Sequence, residues 1–129
     1  MITVWGEGRG FRVIWLLEEM GLPYKLRSVD LLAGVEKDPE FLAINPGGFI
    51  PALVDGDTVM VESIAIMEYL LARYGDKSKA KMAPAPNDPS FGLYQQFLHL
   101  GEAGLGANIQ VVVVSGFVAP ESERDNWGA

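Results

Sequence analysis

The sequence contains no cysteine, and its one histidine is His99. Without cysteine the chain has no disulfide bond, no thiolate metal ligand and no thiol of its own for redox or nucleophilic chemistry. His99 falls in a helical apolar run, where we expect a packed or interface residue rather than a catalytic one. The Asp-Gly-Asp stretch at 55–57 is typical of a hairpin turn, and a lone acid pair is a poor cation site, so we expect no metal.

Basic residues are also few: 10 lysines and arginines stand against 17 aspartates and glutamates, which gives a net charge of -7. This charge works against a phosphate-binding surface, so we expect no nucleic acid partner. No apolar run reaches the roughly 18 residues that span a bilayer, and the N-terminus lacks a basic region followed by an apolar one. We therefore expect no membrane partner and a cytoplasmic location. Hydrophobic residues make up 49% of the chain, enough for a core.

The first 31 residues show a strand, a helix and a second strand. Residues 1–5 alternate β-branched and apolar side chains, and the glycine-rich turn Gly-Glu-Gly-Arg-Gly follows. Residues 11–20 repeat apolar side chains at helical spacing, and residues 24–31 alternate again. A β-α-β unit of this length predicts a parallel strand pair with a right-handed crossover.

The next part of the chain predicts a hairpin followed by a helix. Residues 34–44 favour a short helix or an irregular connection. Residues 49–62 predict two strands around Asp-Gly-Asp, with Pro51 opening the first of them. We expect Ser63 to cap the following helix, which Gly75 ends. The predicted fold class is therefore α/β, in the order β-α-β-β-β-α.

A change in composition follows, rich in lysine, alanine and proline, and it is typical of an inter-domain linker. A helical period resumes at residue 91, weakened by glycines, and the four valines at 111–114 suit either a helix or a strand. One helix after a linker cannot bury its own apolar face. The region from residue 91 onward is therefore predicted to be part of a second, helical domain.

The Asn-Pro, Ile-Pro-Ala-Leu and Glu-Ser elements, in this order and spacing, resemble the cytosolic glutathione S-transferase family. The resemblance implies a thioredoxin-like glutathione-binding domain over 1–76, a linker over 77–90 and an incomplete helical C-terminal domain over 91–129. It also implies glutathione as a substrate, a small electrophile as its partner, and a homodimer. In this family the helical domain continues well past residue 129, so we expect a truncated chain that lacks most of the electrophile pocket.

Pro51 and the residue before it are the first part of the predicted binding site. The resemblance implies a cis Ile50–Pro51 bond, which would leave the N–H and C=O of Ile50 facing outward, where they could pair with an extended peptide. The alternative is an ordinary edge-strand proline.

Glu62 and Ser63 form the second part of the predicted binding site. At a helix start, the Ser63 hydroxyl and N–H could hold an α-carboxylate, and the Glu62 carboxylate could accept from an α-ammonium. Together they would clamp a zwitterionic amino-acid end, which in the family is the γ-glutamyl end of glutathione. A plain helix cap would explain Ser63, but it gives no reason for the acid beside it.

The group that would stabilise the ligand's thiolate is less clearly signalled. The family places Ser, Tyr or Cys in or before the first βα turn, whereas the turn here carries only Glu7 and Arg9. Arg9 could supply a cation, or the backbone N–H groups from Gly8 through Gly10 to Phe11 could donate. Alternatively Arg9 is a solvated turn residue. We expect Glu7 to point outward, and Tyr24 lies in the second strand, out of reach.

Two functions remain open at this point. The first is a transferase that conjugates glutathione to small electrophiles, and the second is a noncatalytic glutathione-binding or interaction module. A glutaredoxin-type reductase is excluded because it needs a reactive cysteine. Trp5 and Trp15 are predicted to lie in the core, and Met60 and Met67 to belong either to the core or to a dimer interface.

Overall fold

The structure, a computed structural model, describes residues 1–78, 81–118 and 120–122. The chain forms two compact units, Met1–Ala83 and Pro84–Ala129. The boundary between the units falls inside the predicted linker, and the finer division at 77–90 and 91–129 stays a prediction. Parts of both of those ranges, residues 79–80, 119 and 123–129, lie outside the described residues.

The first unit is built on a four-stranded mixed sheet with helices against it. Strands β1 and β2 are parallel, whereas β3 is antiparallel to both β1 and β4, which gives the spatial order β2-β1-β3-β4. The strands are β1 (Ile2–Trp5), β2 (Tyr24–Arg27), β3 (Ala52–Asp55) and β4 (Thr58–Val61). The helices are α1 (Phe11–Met20), α2 (Pro39–Ile44) and α3 (Ser63–Tyr74), with 3-10 turns at Val35–Lys37 and Gly75–Lys77. The predicted α/β fold class is confirmed. Of the two alternatives predicted for residues 34–44, the short helix is present as α2.

Side chains alternate across the sheet, so its two faces carry different parts of the core. One buried cluster joins β1 and β3 to α1 and α3; it consists of Ile2, Val4, Val13, Leu17, Met20, Leu53, Ile66 and Leu70. The other cluster packs α2 on the opposite face, and it consists of Trp5, Val29, Phe41 and Ala52. The Trp5 and Phe41 rings stack with their centroids 6.2 Å apart. Helices on both faces therefore fix the positions of the strand ends.

The predictions for two tryptophans and two methionines have different outcomes. Trp5 is buried, but the prediction that Trp15 lies in the core is wrong, because its side chain is 59% exposed. On α1, Trp15 lies opposite the buried stripe of Val13 and Leu17, where it contacts Phe11 and donates to Glu19. Met60 and Met67 are partly buried and pack against the first core cluster.

The second unit is helical throughout its described part. Helix α4 (Phe91–His99) continues through a π-helix at Leu100–Gly106 into α5 (Ala107–Val113) and a further π-helix at Val114–Val118. The four valines are therefore helical. His99 is exposed. The prediction of a packed histidine is therefore wrong, and the alternative of an interface histidine stays a prediction.

This helix also bears on the expectation that no segment could span a membrane. The stretch Phe91–Phe117 is long and apolar enough to do so by length and composition, although no single run of apolar letters is that long. The criterion is the mean hydropathy of a window of the helix, and a window can reach the required mean although polar residues interrupt its apolar runs. Core helices of soluble proteins pass the same test.

Candidate functional site

The strand register brings three separate segments to one end of the sheet. Trp5 pairs with Ala52 across β1 and β3, and Ala52 pairs with Val61 across β3 and β4. The residues just beyond these pairs are Gly6, Pro51 and Glu62. The glycine-rich turn, the start of β3 and the start of α3 are therefore neighbours, although up to 56 positions separate them in the sequence.

The glycine-rich turn packs directly on the Ile50–Pro51 segment. Gly6 has φ +87°, and a Cβ added there would lie 2.4 Å from Cγ2 of Ile50. A Cβ on Gly10 would lie 1.8 Å from the carbonyl oxygen of Gly6 and 3.5 Å from Cβ of Pro51. No side chain fits in either gap, so glycine is required for the two segments to approach this closely.

The Ile50–Pro51 segment is preceded by a loop that Asn45 holds in place. The peptide bond between Ile50 and Pro51 is cis, and β3 begins only at Ala52. The buried Asn45 side chain donates to the carbonyl oxygen of Phe49 at 2.5 Å and accepts from the N–H of Gly47 at 3.1 Å. Asn45 was noted in the sequence only as part of the Asn-Pro element, and the structure gives it this anchoring role.

Glu62 and Ser63 lie where β4 passes into α3. Their geometry corrects the prediction of which residue caps this helix. Ser63 is the first helical residue and Glu62 occupies the N-cap position, where it makes no side-chain capping hydrogen bond. The prediction that Ser63 caps α3 is therefore wrong by one residue. Glu62 has φ +70°, a conformation that strains any residue with a Cβ. The Glu62 side chain is exposed, whereas Ser63 is 7% exposed.

Arg12 is a residue of this region that the sequence analysis did not identify. Its Nη1 donates to Oγ of Ser63 at 3.3 Å, which links the first turns of α1 and α3. The available signal was an arginine beside the buried stripe in the first turn of a helix, where a cation opposes the helix dipole. No sequence pattern joined it to a serine 51 positions away.

The turn itself offers fewer backbone donors than expected. The N–H of Phe11 donates to the carbonyl oxygens of Glu7 at 3.0 Å and Gly8 at 3.1 Å, so Phe11 is not available as one of the predicted donors. The side chain of Arg9 is exposed, as is Gly8, while Gly10 is buried. Arg9 with the amides of Gly8 and Gly10 therefore remains the predicted source of thiolate stabilisation.

Glu7 and Tyr24, the two other polar side chains considered near the turn, each have a hydrogen-bond partner. Glu7 is exposed, and its carboxylate accepts from the N–H of Val29 at 3.3 Å. Its own backbone N–H lowers the pKa of Glu7, burial works in the opposite direction, and the N–H of Val29 lowers it further. Tyr24 pairs with Ile2 at the far end of β1, away from the turn, and donates to Glu18 at 2.8 Å.

The site therefore combines two helix starts, two arginines and the exposed carboxylates of Glu62 and Glu7 within an acidic protein. Such an arrangement suits a ligand that carries both a carboxylate and an ammonium group. Among the residues that the structure describes, no group of three or more His, Asp or Glu side chains could hold a metal ion.

Comparison with known proteins finds relatives that cover the same region. The family described as "Glutathione S-transferase, N-terminal domain" matches residues 10–73. Glutathione S-transferase 3 of Zea mays is 50% identical over 66 residues, which make up 51% of this chain and 30% of that protein. The Glutathione S-transferase-like protein gedE of Aspergillus terreus is 39% identical over 109 residues, or 81% of this chain and 46% of that protein. The chain thus spans less than half the length of either relative.

Solved structures show the same likeness in three dimensions. The glutathione transferase URE2P8 from Phanerochaete chrysosporium, crystallised with oxidized glutathione, matches with a TM-score of 0.81 and 28% identity, over 93% of this chain and 56% of that one. The theta class glutathione S-transferase from Xanthomonas axonopodis, crystallised with glutathione bound, matches with a TM-score of 0.73 and 29% identity, over 96% of this chain and 59% of that one.

Proposed function

Because the chain belongs to the glutathione S-transferase family, we propose that it binds glutathione and conjugates the thiol of that tripeptide to small electrophiles. The observation that carries the proposal is the register at one sheet end, which places the glycine-rich turn, Ile50–Pro51 and Glu62–Ser63 side by side. The proposal extends to a homodimer in the cytoplasm, as the resemblance implies.

The γ-glutamyl end of glutathione would bind at the start of α3. The Ser63 hydroxyl and N–H donate to the α-carboxylate, and the exposed Glu62 carboxylate accepts from the α-ammonium. The Glu62 carboxylate makes no capping hydrogen bond to α3, so capping does not compete with ligand binding for its oxygen atoms. The backbone of Ile50 pairs with the middle of the tripeptide as a strand edge would. Local dipoles and single charges suffice for this, so the net charge of -7 is no obstacle.

The thiol would then lie towards the turn at Gly8–Gly10. Loss of its proton to solvent leaves a thiolate, whose sulfur forms a bond to the electrophilic carbon. In a substitution the leaving group departs with its bonding electron pair; in an addition the π-bond breaks, and its electron pair passes to the adjacent atom, which takes a proton from solvent. A free thiol has a pKa near ~8.5, and each unit of depression corresponds to ~1.4 kcal/mol of preferential thiolate stabilisation. One donor to a charged acceptor contributes about 1.5–3 kcal/mol, so Arg9 or one glycine amide suffices.

The second candidate is a noncatalytic module that binds glutathione and does not activate it. Two observations favour it: the turn carries no hydroxyl or thiol, and the N–H of Phe11 is already used within the turn. The two candidates share the clamp at Glu62–Ser63 and differ only in what happens at the turn.

The clamp is tested by glutathione affinity of the Ser63→Ala variant. Loss of a hydroxyl that donates to a carboxylate should weaken binding about 10- to 100-fold and abolish retention on immobilised glutathione. Ser115→Ala is the matched control, because its hydroxyl donates to a carbonyl of its own helix in the second unit. Unchanged retention of Ser63→Ala would contradict the binding-site assignment.

A further inference from the structure

The side chain of Glu7 joins the glycine-rich turn to the segment that follows β2. Its carboxylate accepts from the N–H of Val29 at 3.3 Å and from the hydroxyl of Ser28. The neighbouring residue of the turn is tied to the same segment, because the N–H of Gly6 donates to the carbonyl oxygen of Arg27 at 2.9 Å. The Glu7 carboxylate is therefore held in one place although it is exposed to solvent.

This carboxylate lies beside the backbone of the turn. Its own N–H is the group that lowers the pKa of Glu7 most, and the next amide along the chain is that of Gly8, one of the proposed donors to the thiolate. Because consecutive Cα atoms are about 3.8 Å apart, the carboxylate lies within about 10 Å of any sulfur that accepts from the Gly8 amide. That distance is about one Debye length at an ionic strength of about 0.1 M, so the two charges interact.

The charge on Glu7 is complete at neutral pH. The hydrogen bonds from its own N–H, Val29 and Ser28 outweigh burial and the nearby charge of Asp30, so the pKa of Glu7 lies below its ordinary value. Asp30 adds a second exposed carboxylate close to the first, where it accepts from two backbone N–H groups of its own loop at 3.0 Å each. Arg9 and Arg12, the nearest cations along the chain, have interaction partners of their own, so neither is counted as a free positive charge.

We infer that Glu7 is a specificity-determining residue, whose fixed negative charge makes the site favour electrophiles that carry a positive charge over those that carry a negative one. The inference rests on the proposed function, because it takes the thiolate of bound glutathione to lie at the turn. A cationic electrophile that approaches the thiolate is attracted by the carboxylate beside it, and an anionic electrophile is repelled. No direct contact between Glu7 and the electrophile is required, since the effect acts through the charge.

The test compares two electrophiles of the same reactivity on the full chain. Both are amides of chlorodinitrobenzoic acid with a short arm, which ends in a trimethylammonium group in one and in a carboxylate in the other. In both reactions the thiolate sulfur bonds to the ring carbon and chloride departs with its bonding electron pair. The measured quantity is the ratio of the two kcat/KM values, cation over anion. Because both electrophiles meet the same bound thiolate, this ratio does not depend on the thiol pKa or on the affinity for glutathione.

Glu7→Gln removes the charge and keeps the anchoring of the turn, because a carboxamide oxygen can still accept from the N–H of Val29. At an ionic strength of about 0.01 M this variant should lower the ratio about four- to tenfold relative to the wild type. At about 1 M, where the Debye length is about 3 Å, the difference between the two proteins should disappear. A change in the shape of the turn would persist at both ionic strengths.

Asp57→Asn is the matched control. Asp57 is exposed in the hairpin turn at the opposite end of the sheet, so its substitution changes the net charge by the same amount away from the site. The ratio should stay at the wild-type value in this variant. Should Glu7→Gln fail to fold by circular dichroism, Glu7→Ala is measured in the same way, since the ratio is taken within one protein and does not depend on how much of it is folded.

A lower ratio in Glu7→Gln at low ionic strength, with no difference at high ionic strength and no change in Asp57→Asn, supports the inference. An unchanged ratio in Glu7→Gln, an equal change in Asp57→Asn, or a change that persists at high ionic strength would overturn it while leaving the conjugation itself intact. Failure of the wild-type protein to conjugate either electrophile would instead overturn the proposed transferase function, and the inference with it.

Discussion

Gly6 and Ile50 are in contact so close that no side chain fits at position 6: an added Cβ would lie 2.4 Å from Cγ2 and 2.6 Å from Cβ of Ile50. Because one of these atoms is the branched Cβ, Ile50 cannot clear the space by rotating a distant group. Gly6 also has φ +87°, which disfavours any residue with a Cβ. The shape of the turn and the position of Ile50 are therefore set together.

Gly6→Ala should destabilise the protein and displace Ile50. We expect a loss of at least ~2 kcal/mol in the free energy of unfolding, from backbone strain and overpacking together. Urea unfolding followed by circular dichroism measures the loss, and calorimetry should show weaker glutathione binding. Gly56→Ala is the control, since Gly56 has φ +61° but nothing within 4 Å of an added Cβ. It should cost about 1 kcal/mol and leave binding unchanged; equal effects on binding would contradict the role given to the Gly6–Ile50 contact.

Glu62→Gly should separate stability from binding. Glu62 has φ +70°, and a non-glycine residue in such a conformation costs on the order of 1–3 kcal/mol. Glycine relieves the strain, so the free energy of unfolding should stay the same or rise by ~1 kcal/mol, while glutathione binding falls because the carboxylate is gone. Glu62→Gln keeps the strain and removes the charge, so it should bind weakly at unchanged stability. Tight binding by both variants would rule out the ammonium contact.

Protonation of Asp55 should lower the free energy of unfolding of the first unit as the pH falls. Its side chain is 9% exposed and accepts from Tyr69 at 2.9 Å and from Tyr74, with Arg73 at 3.8 Å. Burial raises the pKa of Asp55, but the hydrogen bonds from Tyr74 and Tyr69 and the charge of Arg73 outweigh it, so the pKa lies below its ordinary value.

A carboxyl group whose pKa is lower in the folded state is protonated first in the unfolded state as the pH falls. The stabilisation from Asp55 is therefore complete above pH ~4, near the unfolded pKa, and is lost progressively below it. Asp55→Asn should lower the free energy of unfolding by about 1–3 kcal/mol at pH 7, and the gap to the wild type should shrink towards pH 3. Urea unfolding at several pH values measures the gap; a constant gap would mean that ionised Asp55 gives no special stabilisation.

Arg9→Gln tests the source of thiolate stabilisation. If the guanidinium supplies the charge, removing it should raise the pKa of the bound glutathione thiol by about one unit, with little change in affinity, because the clamp lies elsewhere. Ultraviolet titration of the bound thiol gives the pKa directly. Lys25→Gln on β2 serves as the charge-matched control. An unchanged pKa in Arg9→Gln would assign the effect to the backbone amides of Gly8 and Gly10.

The strands and main helices of the first unit could be predicted because their signals are local. Alternating side chains mark β1 and the hairpin, and the spacing of Val13, Leu17 and Met20 marks the buried face of α1. Asp-Gly-Asp marks the hairpin turn, and the register it sets is what places Pro51 next to Glu62. That Pro51 and Glu62 are neighbours could therefore be predicted from the sequence, and their role in binding stays a prediction.

What the sequence did not reveal depends on contacts between distant residues or on single backbone angles. The Arg12–Ser63 hydrogen bond joins two helix starts 51 positions apart. The cap of α3 shifted by one residue because Glu62 adopts a positive φ, which no propensity predicts for glutamate. Trp15 is predicted to lie in the core, yet it lies on the face of α1 opposite the buried stripe, and only the phase of the helix distinguishes those faces.

The most direct test of the proposed function is the pKa of the glutathione thiol when bound to the wild-type protein, measured by ultraviolet absorbance titration at saturating protein. If the turn stabilises the thiolate, this pKa should lie at least about one unit below the ~8.5 of a free thiol. A bound thiol that titrates at or above ~8.5 would contradict thiolate activation by the turn at Gly8–Gly10 and leave the chain as a glutathione-binding module.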